Sequence, residues 1–100
     1  MQQREEILQA LRDSFPYLVA EYSVKRIGLF GSFARGTGGQ DSDIDLVVEF
    51  ERPVGFKFVQ LVEYLESLLG RDVDLLTPAG IEGIRVEGVA REISNSIVYV

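Results

Sequence analysis

Apolar residues recur at helical intervals in three segments of the chain. Between residues 2 and 15 they form one stripe among glutamine, arginine and glutamate: Ile7, Leu8, Leu11 and Phe15. We expect this helix to end at Pro16, because a proline inside a helix removes a backbone hydrogen bond. The same periodicity is strongest over residues 56–69, where Gly70 supplies a C-terminal stop, and weakest over residues 84–93.

Short β-prone runs lie between these helices. Residues 25–30 form an apolar run that closes in Gly31-Ser32, which predicts a strand and a glycine turn, and a short helix is expected to begin at Phe33. Residues 43–50 alternate and are rich in β-branched side chains, which predicts a second strand. Residues 72–77 form a third strand that Pro78 should terminate.

The order of these elements predicts the fold class. Helix, strand, short helix, strand, helix, strand and helix indicate an α/β (α+β) domain with a small mixed sheet of three to four strands and helices packed against it. A length of 100 residues is too short for two independent cores, so we expect one domain over residues 1–100. The apolar end, residues 97–100, is expected to pack either on this domain or on a partner.

The composition of the chain excludes several kinds of catalytic and metal site. The chain has no cysteine and no histidine, which excludes thiolate zinc sites, cysteine nucleophiles, histidine bases and serine-histidine triads. Sixteen acidic against ten basic residues give a net charge of −6, so direct binding of nucleic acid is not expected. The start carries no signal-like apolar region and no run approaches the roughly 20 apolar residues that cross a bilayer. We expect a cytoplasmic protein without a membrane partner.

Two acidic residues one position apart are the first candidate site. Asp43 and Asp45 would point to the same side of a strand, where their carboxylates can hold a hard divalent cation such as Mg²⁺. An isolated pair of this kind is more typical of the solvent face of an edge strand or of a turn cap. Asp74 in the third strand could join the pair, and Asp72 shares its face. Periodicity does not separate the two; we favour Asp74, because Asp72 adjoins Arg71 and can pair with it.

A second candidate site lies in the turn after the first strand. Gly31 would let backbone N–H groups approach a phosphate, and Ser32 adds a hydroxyl donor. Arg35 could reach the same phosphate or form an ion pair with Asp41 or Asp43. Taken alone, a Gly-Ser pair after a strand is typical of an ordinary turn.

Together these segments resemble a known family. The chain is similar to the signature of the DNA polymerase β-like nucleotidyltransferase superfamily, specifically its minimal nucleotidyltransferases. The similarity lies in residues 31–36, the polar spacer after them and residues 42–48. Residues 69–78 and 97–100 extend the resemblance over nearly the whole chain.

The resemblance implies a role for each site residue. A nucleoside triphosphate would be held by Gly31, Ser32, Arg35 and Ser42. Asp43 and Asp45 would bind two Mg²⁺ ions, and Asp74 would join one of them and help to activate the attacking hydroxyl.

The resemblance also implies an activity and a partner. Such proteins are similar to the antitoxins of two-gene toxin–antitoxin modules, which implies transfer of AMP from ATP to a tyrosine of a HEPN-type ribonuclease toxin and a hetero-oligomer with it. The alternative is a non-catalytic antitoxin or nucleotide-sensing module that neutralises its partner by occlusion. Transfer to a small molecule would require an added acceptor-binding domain.

Two features outside the signature give weaker expectations. The pair Gly38-Gly39 departs from the family pattern and predicts a mobile spacer without fixed contacts from Thr37 or Gln40. Arg52 and Lys57 follow the second strand and could face the triphosphate, although solvated charges at a helix end are the more common arrangement.

Overall fold

The computed structural model describes residues 4–39, 42–82 and 97–100. Along the chain its elements are α1 (Arg4–Tyr22), β1 (Val24–Phe30), α2 (Gly31–Ala34), β2 (Ile44–Phe50), α3 (Lys57–Leu69), β3 (Val73–Leu76), α4 (Pro78–Glu82) and β4 (Val98–Tyr99). The helix predicted over residues 84–93 lies outside the described residues.

The strands form one mixed sheet, in the order β3-β2-β1-β4. β1 runs antiparallel to both β2 and β4, whereas β2 and β3 are parallel and are connected through α3. The predicted mixed sheet with packed helices is therefore confirmed. The chain end, which we expected to cover either the domain or a partner, adds the edge strand β4 to the domain itself.

The main core lies on one face of the sheet, beneath α1 and α3. Its fully buried side chains include Ile7, Leu11 and Leu18 from α1, Leu61 and Leu65 from α3, and Ile27, Leu29, Ile44, Leu46 and Val48 from the strands. On the opposite face, Phe30 and Val47 form a smaller buried cluster. Asp45 shares this second face with Val47, because residues two apart in a strand point to the same side.

The predicted end of α1 at Pro16 is wrong, since the helix continues to Tyr22. Pro16 lies on the exposed side of the helix, whereas Leu18 and Tyr22 extend the buried stripe. Burying one large apolar side chain is worth about 1.5–3 kcal/mol, which offsets the loss of one backbone hydrogen bond at the proline. Tertiary burial thus overrides the local stop signal.

The other helix boundaries differ less from the prediction. α3 ends where expected, and the Gly70 N–H donates to the Glu66 carbonyl at 2.8 Å. α2 begins at Gly31, two residues earlier than predicted. Pro78 ends the third strand as expected but also begins the short α4. Within the described part of the chain, no helix has both the length and the apolar character needed to cross a membrane.

Candidate active site

Three aspartates come together at one end of the sheet. Asp45 in β2 lies beside Asp74 in β3, because the two residues are partners in the parallel register. Asp43 precedes β2 and lies two residues before Asp45, on the same face. Asp45 is half-buried, while Asp43 and Asp74 are exposed. The strands therefore bring the three predicted carboxylates to one place.

The surroundings of Asp45 raise the pKa of its carboxyl. Burial raises the pKa of Asp45 above its ordinary value, and the nearby carboxylates of Asp74 and Asp43 raise it further. The exposed Arg35 acts in the opposite direction and lowers the same pKa. Nearby like charges disfavour ionisation of Asp45 unless a cation compensates them. Arg35 is thus close enough to act on the Asp45 carboxyl, and its part in nucleotide binding stays a prediction.

Asp72, the alternative third carboxylate, occupies a different position. Its backbone carbonyl accepts the Ile44 N–H at 3.0 Å, which fastens the start of β3 to the start of β2. The carboxylates that raise the pKa of Asp45 are those of Asp74 and Asp43. The register therefore puts Asp74 rather than Asp72 directly beside Asp45.

The glycine-serine turn lies against the same carboxylates. Gly31 directly follows Phe30, the register partner of Asp45, and has a left-handed φ of +76°. A Cβ at residue 31 would overlap the Asp45 carboxylate, so only glycine fits. Ser32 is half-buried, and its hydroxyl makes no hydrogen bond with the described residues. α2 has only four residues, so its helix dipole is small, and the predicted phosphate contact would depend on this hydroxyl and the backbone N–H groups.

The described part of the spacer makes specific contacts, so the expectation that Thr37 makes no fixed contact is wrong. The Thr37 backbone N–H and hydroxyl both donate to the Ser32 carbonyl, at 2.9 and 3.3 Å. Gly39 and Ser42 bind each other: the Gly39 N–H donates to Ser42 Oγ at 3.0 Å, and the Ser42 N–H donates to the Gly39 carbonyl at 3.1 Å. The Ser42 hydroxyl thus closes the loop, and its part in nucleotide binding stays a prediction. Gln40 lies outside the described residues.

Arg52 and Lys57 lie at the other end of β2 from the aspartates. The Arg52 Nε donates to Ser23 Oγ at 3.2 Å, and the Lys57 Nζ donates to the Glu21 carbonyl at 2.9 Å. Both side chains therefore brace the junction between α1 and β1. The expectation of solvated helix-end charges fits this better than a role at the triphosphate.

Two side chains outside the predicted set support the site. The Arg71 Nη1 donates to the carbonyls of Gly39 and Ser42, at 3.3 and 3.4 Å. Glu66 Oε2 accepts the Val73 N–H at 3.1 Å, at the first residue of β3. Sequence reasoning considered Arg71 only as a pairing partner for Asp72. Arg71 is 32 residues from Gly39 and 29 from Ser42, and Glu66 reaches Val73 across the turn between α3 and β3, so the helical and strand periodicities indicate neither contact.

The carboxylate set fits a Mg²⁺ site that a substrate completes. No group of three or more acidic side chains among the described residues is close-set enough to enclose a metal ion. Mg²⁺, however, usually keeps several waters and is held by one or two carboxylates together with substrate phosphates. The half-buried Asp45, with its raised pKa and its neighbour Asp43, suits that mode of binding.

Comparison with known proteins places this geometry in a family. A family model described as a nucleotidyltransferase domain matches residues 4–100. The chain belongs to the nucleotidyltransferase domain family. The prediction of a minimal nucleotidyltransferase is confirmed, and with it the prediction that the protein is an enzyme.

Individual relatives of this nucleotidyltransferase cover nearly its full length. It is 40% identical over 97 residues to the protein adenylyltransferase MntA of Thermococcus cleftensis, covering 96% of this chain and 94% of the relative. A solved structure of a minimal nucleotidyltransferase matches with a TM-score of 0.73 and 31% identity, over 97% of this chain and 95% of the other. A crystal structure of a toxin–antitoxin with AMP-PNP matches with a TM-score of 0.62 and 25% identity, over 98% of this chain and 72% of the other.

Proposed function

We propose that this nucleotidyltransferase is an antitoxin that transfers AMP from ATP to a tyrosine hydroxyl of a HEPN-type ribonuclease toxin, in a Mg²⁺-dependent reaction. The observation that carries the proposal is the convergence of Asp43, Asp45 and Asp74 beside the Gly31-Ser32 turn. Similarity to the adenylyltransferase MntA and to a toxin–antitoxin bound to an ATP analogue supports the nucleotide and the class of partner.

The residues divide into a phosphate-binding group and a metal-binding group. The backbone at Gly31 and the hydroxyl of Ser32 bind the triphosphate, and Arg35 adds a positive charge beside Asp45. Asp43 and Asp45 hold the metal. Two Mg²⁺ ions bound there would lower the pKa of the attacking hydroxyl and offset charge on the triphosphate oxygens.

The transfer is an in-line displacement at the α-phosphorus. The tyrosine oxygen forms a new bond to the α-phosphorus while the bond to the β-phosphate bridging oxygen breaks, and pyrophosphate leaves. Asp74 receives the proton of the tyrosine hydroxyl, for which it is suited by its exposed position next to Asp45. Asp45, fixed in β2 beside Asp74, keeps the reacting groups aligned.

A macromolecular acceptor agrees with the exposure of the site. Asp43 and Asp74 are exposed at the end of the sheet, where a tyrosine on another protein can reach them. The net charge of −6 complements the basic surface that a ribonuclease needs for its RNA. Adenylylation adds bulk and negative charge near that surface and weakens its binding of RNA.

The test is transfer of radioactive label to the toxin encoded beside this protein. With Mg²⁺ and [α-³²P]ATP, the wild type labels the toxin, whereas [γ-³²P]ATP leaves it unlabelled because the label departs with pyrophosphate. The double variant Asp43→Asn, Asp45→Asn gives no label. Asp13→Asn is the matched control, since Asp13 is an exposed aspartate on α1. A toxin that is bound and inhibited by the wild type without becoming labelled would establish neutralisation by contact instead.

A further inference from the structure

Arg71 joins two segments that carry the outer aspartates of the site. It lies in the turn between α3 and β3, three residues before Asp74. Its Nη1 donates to the carbonyls of Gly39 and Ser42, at 3.3 and 3.4 Å. Asp43 directly follows Ser42. One side chain therefore connects the entry to β3 with the last turn before β2.

The same guanidinium packs on an aromatic ring of the glycine-serine turn. Arg71 Cζ lies 5.2 Å from the centre of the Phe33 ring, within the range of a cation–π contact. Phe33 also lies against Gly38, where a Cβ would come within 2.6 Å of the ring. Arg71, Phe33 and Gly38 thus pack against one another.

The hydrogen bonds of Arg71 act on the segment before Asp43 rather than on β3. β3 is already fastened to its surroundings without it, since the Ile44 N–H donates to the Asp72 carbonyl and the Val73 N–H donates to Glu66. In the described part of the segment before Asp43, Gly39 and Ser42 hydrogen-bond to each other, and the carboxylates of Asp43 and Asp45 repel each other. Two additional hydrogen bonds from a cation oppose the outward movement of this segment.

We propose that Arg71 is a positioning residue, which holds the Gly39 and Ser42 carbonyls so that Asp43 faces Asp45 for metal binding. The inference rests on the proposed metal-dependent function. Arg71 acts through the backbone and does not touch the substrate. The contacts that support this role are those of its guanidinium with two carbonyls and the Phe33 ring.

The test compares three full-length variants. Arg71→Met removes the donors but keeps a stem that can pack on Phe33, and Arg71→Lys restores a cationic donor. Arg52→Met is the matched control, because Arg52 contacts Ser23 at the far end of β2. Hydrogen exchange is measured at the amides of Gly39 and Ser42, and Mn²⁺ binding is measured by electron paramagnetic resonance with AMP-PNP present.

We expect faster exchange and about 10-fold weaker Mn²⁺ binding in Arg71→Met, within the 10- to 100-fold range of metal-supporting residues. Arg71→Lys should recover most of both, and Arg52→Met should match the wild type. Unchanged exchange in Arg71→Met would overturn the proposal, as would faster exchange with unaltered Mn²⁺ affinity, since the residue would then only stabilise the loop. Neither readout requires AMP transfer, so failure of the proposed function shows separately as a wild type that labels no toxin.

Discussion

Gly31 and Asp45 are in such close contact that no side chain can be accommodated at residue 31. An added Cβ would overlap the carboxylate and would lie 2.9 Å from Asp45 Cγ. The backbone at Gly31 is also left-handed, with a φ of +76°. Space and conformation therefore both require glycine, and glycine lets the turn that follows β1 lie directly against Asp45.

Gly31→Ala should remove activity through this contact. The left-handed backbone costs an L-residue about 1–2 kcal/mol, and the overlap displaces Asp45 or the turn in addition. A displacement of about 1 Å in a catalytic site can cost roughly 100-fold in rate, which is the loss of transfer that we expect. Gly36→Ala is the matched control, because Gly36 has a φ of +78° and no heavy atom within 4 Å of its added Cβ. Equal losses of activity in both variants would show that backbone strain alone is responsible.

Asp45→Asn should lower the rate of AMP transfer without lowering the free energy of unfolding. The change removes a half-buried carboxylate whose pKa is raised by burial and by two like charges, so the metal-free protein should not lose stability. We expect the free energy of unfolding to rise by up to about 1 kcal/mol, the scale of directly opposed charges in a sheet. Transfer of AMP should fall by more than about 100-fold, since even outer-shell partners of a metal cost 10- to 100-fold. Urea unfolding with and without Mg²⁺ and label transfer measure the two effects. A large loss of stability without Mg²⁺ would contradict the repulsion.

Asp74→Asn and Asp72→Asn form a matched pair. Both aspartates are exposed, on the same strand face, and two residues apart, but only Asp74 is the register partner of Asp45. Asp74→Asn should therefore lower the rate of transfer by roughly 100-fold, within the usual range for a lost proton acceptor, while Asp72→Asn retains most activity. The reverse pattern would make Asp72 the third carboxylate.

Gly28→Ala should loosen the terminal strand. A Cβ at residue 28 would lie 2.5 Å from Ile97 Cγ2 and 2.9 Å from Tyr99 Cδ1, in the strand that packs as β4. Overpacking of this kind typically costs about 1–3 kcal/mol, measurable as a lower free energy of unfolding. Ile97→Ala in the same chain should return part of the loss, giving a non-additive double-mutant cycle. Strict additivity would mean that the tail does not pack over Gly28.

The sequence alone predicted the elements and most of the site. Period-two alternation placed Asp43 and Asp45 on one face, and the helical spacing of α3 together with Gly70 located that helix. Local signals failed where burial competes with them. Pro16 reads as a stop, yet Leu18 and Tyr22 carry α1 six residues further into the core.

Local patterns did not predict which backbone carbonyls the side chains of Thr37, Lys57 and Arg71 contact. The adjacent glycines of the spacer indicate a loop without fixed contacts. In the described residues, however, the Thr37 hydroxyl donates to the Ser32 carbonyl, and Arg71, in the turn after α3, donates to the Gly39 carbonyl. Lys57 carries the charge expected of a phosphate ligand, yet its ammonium binds the carbonyl of Glu21. In all three contacts the acceptor is a backbone carbonyl, which the pattern of side chains in the sequence does not reveal.

The amino-acid sequence by itself determined the strand faces, the chemistry of carboxylates and hydroxyls, and the resemblance to nucleotidyltransferases, because these depend on residue type and near-neighbour spacing. Tertiary structure decided which aspartate stands beside Asp45, that the terminal strand joins β1, and that Arg71 supports the spacer. The physical reason is that strand order and register are set by the packing of the whole sheet against its helices, and no local spacing records which strands become neighbours.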